Sequence, residues 1–216
     1  MLESLKKLNP EIPFFSVFDD EFNTFGKVIK TLDTKEIIEV AKTISYPQSG
    51  SSYAPVVKEF EELKIANEIT NKFFGTLPTQ IGYCWGYNNF LNATEWHTSS
   101  EVNIAVTPLV LILGHVWDIK DGTIDSSAFK AFYLPQGTAV EVFATSLHFC
   151  PCEVGKNGFG AVVCLPKNTN TDLEVNPENP LIFRKNKWII AHKDNQTLIN
   201  RGVVPGITGI NFEIKY

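Results

Sequence analysis

The chain has 216 residues, 44% of them hydrophobic and 20% charged, with 16 Phe, 6 Tyr and 4 Trp; this excludes a largely disordered polypeptide and provides enough apolar material for a packed interior. The formal charge is −5 and the densest basic run is the short Arg184-Lys185-Asn186-Lys187, which argues against a nucleic-acid partner. No apolar run reaches bilayer-spanning length and the opening MLESLKKLNPEIPFF has no apolar stretch of signal-peptide length, so the sequence predicts a cytoplasmic protein without a membrane partner.

Up to about residue 75 the texture is helical. Thr34 to Thr43 is the clearest segment: Asp33 stands as a cap, Glu36 follows three residues later, and Ile37, Val40 and Ala41 form an apolar stripe. A second helix is predicted over Val56 to Phe74, where Val57, Phe60, Leu63, Ile65 and Ile69 recur at near-helical spacing. Between them, the turn-rich run from Tyr46 to Tyr53 reads as a solvated connector or a flap.

From Gly75 onward, short runs of β-branched and aromatic residues alternate with Gly, Pro, Asn and Asp, predicting antiparallel strands. They fall near 79–87, 93–98, 101–106, 108–117, 129–134, 138–144, 146–152, 159–165, 181–184, 187–192 and 208–215. With no internal repeat, the simplest burial of so many strands is a closed barrel or jelly roll. The expected organisation is one domain: residues 1–75 as a helical extension and 76–216 as a β-barrel. Cys84, Cys150, Cys152 and Cys164 have no paired zinc-type spacing and are expected to be reduced, buried thiols.

The densest polar cluster is Asn92-Ala-Thr-Glu95-Trp-His97-Thr-Ser-Ser-Glu101. Side chains on a strand alternate faces, so Glu95, His97 and Glu101 can point into one cavity, where two carboxylates and an imidazole suit a divalent cation; an exposed polar face is the alternative. Downstream, a Pro135-x-Gly137 turn precedes Glu141 and His148 on apolar strand-like segments. Tyr83, Trp85 and Tyr87 alternate on a predicted strand and either stack on a sugar ring or pack in the core. His115 reads as a packing or surface histidine, and His192 as a residue at the barrel mouth. Arg184 and Lys187 offer charge for a carboxylate or phosphate, or are solvated strand ends.

These two clusters resemble the cupin superfamily. Glu95-x-His97 stands in place of the first motif's His-x-His, with Glu101 following after three intervening residues, and Pro135-x-Gly137 matches the start of the second motif. The second-motif histidine falls at Val140, which cannot bind a metal; Glu141 or His148 can supply the missing ligand, since a bulge or register change redirects a neighbouring side chain. The resemblance implies a mainly β, cupin-like barrel (double-stranded β-helix or jelly roll) with the N-terminal helices packed outside. It also implies a metal set of Glu95, His97, Glu141 and His148, with Glu101 either a further ligand or a base beside the metal. More narrowly, Gly82 to Cys152 is similar to an uncharacterised bacterial cupin-like family associated with sugar-utilisation gene clusters, through Gln80-Ile-Gly-Tyr-Cys84, Asn92, Glu95-x-His97-x-Ser-Ser-Glu101-Val-Asn-Ile-Ala, Pro135-x-Gly-Thr-Ala-Val-Glu141 and Leu147-His148.

The function expected from this reading is a metal-dependent isomerase or epimerase acting on a sugar or sugar acid through an enediolate-type intermediate. A zinc, manganese, iron or nickel ion would polarise the substrate, and Glu101 or Glu141 would move the proton. Tyr83, Trp85, Tyr87, Arg184, Lys187 and His192 are the expected substrate contacts. A ureidoglycolate-type lyase and a non-catalytic sugar-binding module are the alternatives, and a free strand edge would favour a homodimer.

Overall fold

The computed structural model describes residues 1–216. In chain order the elements are α1 (Leu2–Leu8), β1 (Phe14–Ser16), β2 (Gly26–Ile29), α2 (Lys35–Lys42), β3 (Ser51–Ala54), α3 (Lys58–Glu61) and α4 (Lys64–Phe73). They continue with β4 (Thr79–Gly86), β5 (Ala93–Trp96), β6 (Glu101–Ala105), β7 (Leu109–His115), β8 (Ile124–Asp125), β9 (Lys130–Leu134), β10 (Ala139–Val142) and β11 (Ser146–Leu147). Last come β12 (Cys152–Glu153), β13 (Phe159–Pro166), β14 (Ile182–Arg184), β15 (Lys187–His192), α5 (Gln196–Ile199) and β16 (Val204–Thr208).

One sheet has the order β2-β10-β6-β13-β4-β3, and period-two alternation gives its strands two buried faces. Val102, Ile104, Tyr83, Val162 and Ala139 face outward beneath α2, α3 and α4, packing on Ile37, Ala41, Phe60, Ile65 and Ile69. The opposite face carries Ala105, Val140, Val142, Phe159 and Ala161, which meet Leu109, Leu111, Leu113, Phe132 and Leu134 of β7 and β9. That second cluster draws on both layers and is the apolar half of the barrel interior.

The other layer consists of β1-β9-β7, with β11 and β12 on the free edge of β7, and of β14-β15-β16-β8, with β5 on β15. An isolated antiparallel bridge between Glu95 and His148 links these two parts. Its outer face is closed by α1 and the C-terminal segment, through Leu5, Ile12, Phe212 and Ile214.

The helix expected over Val56 to Phe74 is broken between α3 and α4. The five-residue step from buried Phe60 to buried Ile65 is out of phase with a 3.6-residue period, and extended backbone at Leu63 restores the register. Asp33 Oδ1 accepts the Lys35 amide at 3.2 Å, one position before the N-cap residue Thr34. The first 75 residues are not simply a helical extension: β1, β2 and β3 pair with β9, β10 and β4. The run expected to be a connector or flap thus ends in a strand that forms the sheet edge. The strand expected over 208–215 ends at Thr208, and beyond it only Glu213 bridges, to Phe90. All four cysteines are unpaired, and no helix is long and apolar enough to cross a membrane.

Candidate metal centre

Glu95 and His97 lie on one face of β5 and its extension, and the bridge between Glu95 and His148 brings the second histidine beside them. One ligand atom from each of Glu95, His97 and His148 falls within 4.8 Å of the others. Glu101, at the start of β6, places Oε2 3.3 Å from His148 Nε2 and 3.7 Å from His97 Nε2.

The histidines are held for ligation. His97 Nδ1 donates to the carbonyl of Asn186 at 2.6 Å, and His148 Nδ1 donates to that of Ser146 at 3.0 Å. A carbonyl only accepts, so each Nδ1 carries hydrogen and the neutral ring presents its lone pair at Nε2. Both Nε2 atoms are buried and make no hydrogen bond. Orphaned buried nitrogens beside carboxylates are the donor set that a borderline divalent cation takes. The residues present therefore fit a metal.

Without a cation, the electrostatics are those of an ion pair between His148 and Glu101, whose proton a metal would displace from His148. Burial opposes ionisation of Glu101, yet the neighbouring His148 outweighs it and, with a 2.7 Å hydrogen bond from Asn103 to Glu101 Oε1, holds the carboxyl at about 2. Burial likewise disfavours charge on His148, but the Glu101 carboxylate raises it to about 9. His97 is lowered by burial and then by the charge of His148, so it stays neutral. The Lys187 ammonium sits against Glu95 Oε2.

These groups open onto a cavity of about 400 Å³ between the layers. Its polar wall includes Glu95, Glu101, Asn103, His148, Lys187, Arg201 and Ser51, and its apolar wall Val163, Leu165, Ile189, Phe149 and Phe183. His97 does not line the cavity, and its side chain has no exposed surface.

Several residues expected at this site lie elsewhere. Glu141 pairs across β10 with Val102 on the outer side of the sheet, where it meets Lys27 at 2.9 Å, apart from the group of Glu95, His97 and His148 and from the cavity. Val140 faces inward, but into the apolar half of the barrel. Tyr83 and Trp85 share the outer face, stacked at 5.0 Å, because alternation turns Cys84 toward the cavity instead. Tyr87 packs on Tyr46 at 6.0 Å. His192 sits at an even position of β15 and faces away, with Nε2 3.3 Å from the Gly209 carbonyl. Arg184 binds Asp172 at 3.5 Å and lies outside the cavity. His115 is stacked between Phe25 and Trp117, with ring centroids 4.0 and 4.2 Å away. Of the expected substrate contacts, only Lys187 lines the cavity.

Asn103, Asn186 and Arg201 were not foreseen. Asn186 has a positive φ of 54° in the β14–β15 turn, a role its residue type signals. Nothing in the sequence signals its bond to His97, 89 positions away.

The fold and the site together define a mainly β protein of packed sheet layers with a Glu-His-His group suited to a divalent cation. Residues 14–212 match the family model described as Domain of unknown function (DUF4867), and the chain belongs to that family. No curated protein matches it. Among solved structures it is similar to the S161A mutant of Bacillus subtilis oxalate decarboxylase OxdC, with TM-score 0.33 and 9% identity over 58% of this chain and 28% of that one. It is also similar to vicilin from Corylus avellana (hazelnut), with TM-score 0.34 and 7% identity over 80% of this chain and 45% of that one. The chain thus spans less than half the length of either.

Proposed function

We propose that this cavity holds a divalent cation on Glu95, His97 and His148 and isomerises or epimerises an open-chain sugar or sugar acid. The observation that carries this reading is the convergence of two buried, hydrogen-bond-free imidazole nitrogens with a carboxylate oxygen, beside a second carboxylate on the cavity wall. A bound cation supplies Lewis acidity toward a carbonyl and its neighbouring hydroxyl.

Glu101 lines the cavity wall beside the three donors and enters as the proton acceptor. Asn103 holds its Oε1. In isomerisation Oε2 takes the proton from the carbon beside the carbonyl and returns it to the carbonyl carbon, while the hydroxyl proton passes between the substrate oxygens; in epimerisation the proton returns to the other face of the same carbon. The Lys187 ammonium offsets negative charge that develops on substrate oxygen. Val163, Leu165, Ile189 and Phe149 exclude water from the apolar wall and strengthen these interactions.

The test is proton exchange in deuterium oxide, followed by NMR on aldoses, ketoses and aldonates with metal-loaded protein. Deuterium should enter beside the carbonyl with wild type and fail to enter with Glu101→Gln whose metal content, read by elemental analysis, equals that of wild type. Sugar binding without exchange would mean a binding module; chain cleavage would mean a lyase.

A further inference from the structure

We propose that Arg201 is an anion anchor in this cavity, so that the molecule accepted there carries a carboxylate or phosphate group. The inference rests on the proposed small-molecule site and narrows its substrate class from sugars in general to anionic ones.

The chain has only two arginines, Arg184 and Arg201, so its other 17 basic residues (19 − 2) are lysines. Both guanidiniums lie near one ring, that of Phe183, at 4.5 and 6.0 Å from its centroid. Arg184 is used internally: it donates to the Phe183 carbonyl at 2.9 Å and pairs with Asp172. Arg201 takes part in none of the chain's ion pairs or side-chain hydrogen bonds, and it lines the cavity. A planar fork of donors suits bidentate binding of carboxylate or phosphate, a geometry that lysine does not supply.

Charge within the cavity points the same way. Lys187 sits against Glu95, whereas no carboxylate lies within ion-pair distance of Arg201. A bound divalent cation would add positive charge. Arg201 is an exposed residue of the cavity wall, and the Phe183 ring, 6.0 Å from its guanidinium, is the aromatic face beside it.

The backbone that presents Arg201 is fixed. Asn195 caps α5 by accepting the Leu198 amide at 3.1 Å, the Arg201 amide donates to the Leu198 carbonyl at 3.0 Å, and Gly202 turns the chain at φ +92°.

Calorimetry on metal-loaded protein with D-gluconate, D-glucose 6-phosphate and D-sorbitol tests the inference. At least one of the two anions should bind tenfold or more tightly than the neutral alditol, and which one does so distinguishes carboxylate from phosphate. Arg201→Gln should abolish that preference while metal content and sorbitol binding stay unchanged; Arg184→Gln should preserve it. Equal binding of all three, no binding of either anion, or a preference that survives Arg201→Gln would overturn the anchor. If Arg201→Gln does not fold, wild type decides: phenylglyoxal has only two arginines to modify, and saturating anion must protect Arg201 in peptide mass spectra. Anion binding without deuterium exchange would end the isomerase reading and leave the anchor standing. Deuterium exchange that is as fast on neutral sugars as on anionic ones, in wild type and Arg201→Gln alike, would do the reverse.

Discussion

Glu95 and His148 are joined through their backbones as well as through the site. The Glu95 amide donates to the His148 carbonyl at 2.6 Å, and the His148 amide donates to the Glu95 carbonyl at 3.0 Å. Directly opposed residues on antiparallel strands project to the same face, so this single bridge both links the β15 part of the layer to the β7 part and sets two metal donors side by side.

Ligand substitutions should therefore separate the two faces of the barrel. His97→Ala and His148→Ala should purify without metal, whereas Glu141→Gln should retain it at the wild-type ratio, as read by elemental analysis. Metal loss in Glu141→Gln would contradict its position on the outer face. Because the cation would bind the folded state only, adding it at 100 times Kd should stabilise the protein by about 2.7 kcal/mol, visible in thermal melts.

Acidity offers an independent check. The pKa of His148 is raised, so the stability it gives the metal-free protein is complete below its ordinary 6.5 and is lost as pH rises through about 9. That of Glu101 is lowered, so its contribution is present above the ordinary 4.5 and is lost as pH falls through about 2. Metal-free protein should thus lose melting temperature between pH 6.5 and 9, and His148→Gln should lack that decline. Metal must displace the His148 proton, so its apparent affinity should rise about tenfold per pH unit up to about 9. A flat wild-type profile over that interval would refute the ion pair.

Asn186 holds the centre from outside it. Besides receiving His97 Nδ1, it accepts the Thr98 amide at 3.0 Å and the Thr98 hydroxyl at 2.5 Å through Oδ1. Asn186→Ala removes the side-chain bonds and strains a left-handed residue, which should cost about 1–3 kcal/mol in denaturant unfolding. Metal affinity should fall about 10- to 100-fold as the imidazole loosens. Asn186→Gly tolerates the backbone conformation and keeps the carbonyl, so it should lose less affinity.

Val140 tests whether the motif position is still a ligand slot. It is fully buried among Leu, Phe and Val side chains and does not border the cavity. Val140→His should bury an unsatisfied imidazole, lower stability by about 1–3 kcal/mol, and leave metal stoichiometry unchanged. A gain in metal affinity would show that the position still reaches the centre.

Gly82 bears on the cavity wall. A Cβ there would lie 2.3 Å from the Ala54 carbonyl oxygen and 2.8 Å from that of Pro55, both backbone atoms that cannot move alone. Gly82→Ala should push β3 away from β4 at a cost of about 1–3 kcal/mol, measured by chemical denaturation.

Most strands and the α2 helix were legible in the sequence because period two and period 3.6 are local properties of a chain with one buried face. The same alternation made Glu95 and His97 neighbours on one face before any tertiary information. It could not say which face of a strand is the inside. On β4 both faces are buried, and helices α2 to α4 claimed the side carrying Tyr83 and Trp85, leaving Cys84 to the cavity. On β10 the same choice sent Glu141 outward to Lys27 and Val140 inward. The sequence by itself determined a β-rich chain with its ligand types in place. Which of those ligands meet, and that Arg201 rather than Arg184 reaches the cavity, was decided only when strands distant along the chain packed together, since contacts across such separations are fixed by layer packing and leave no local pattern.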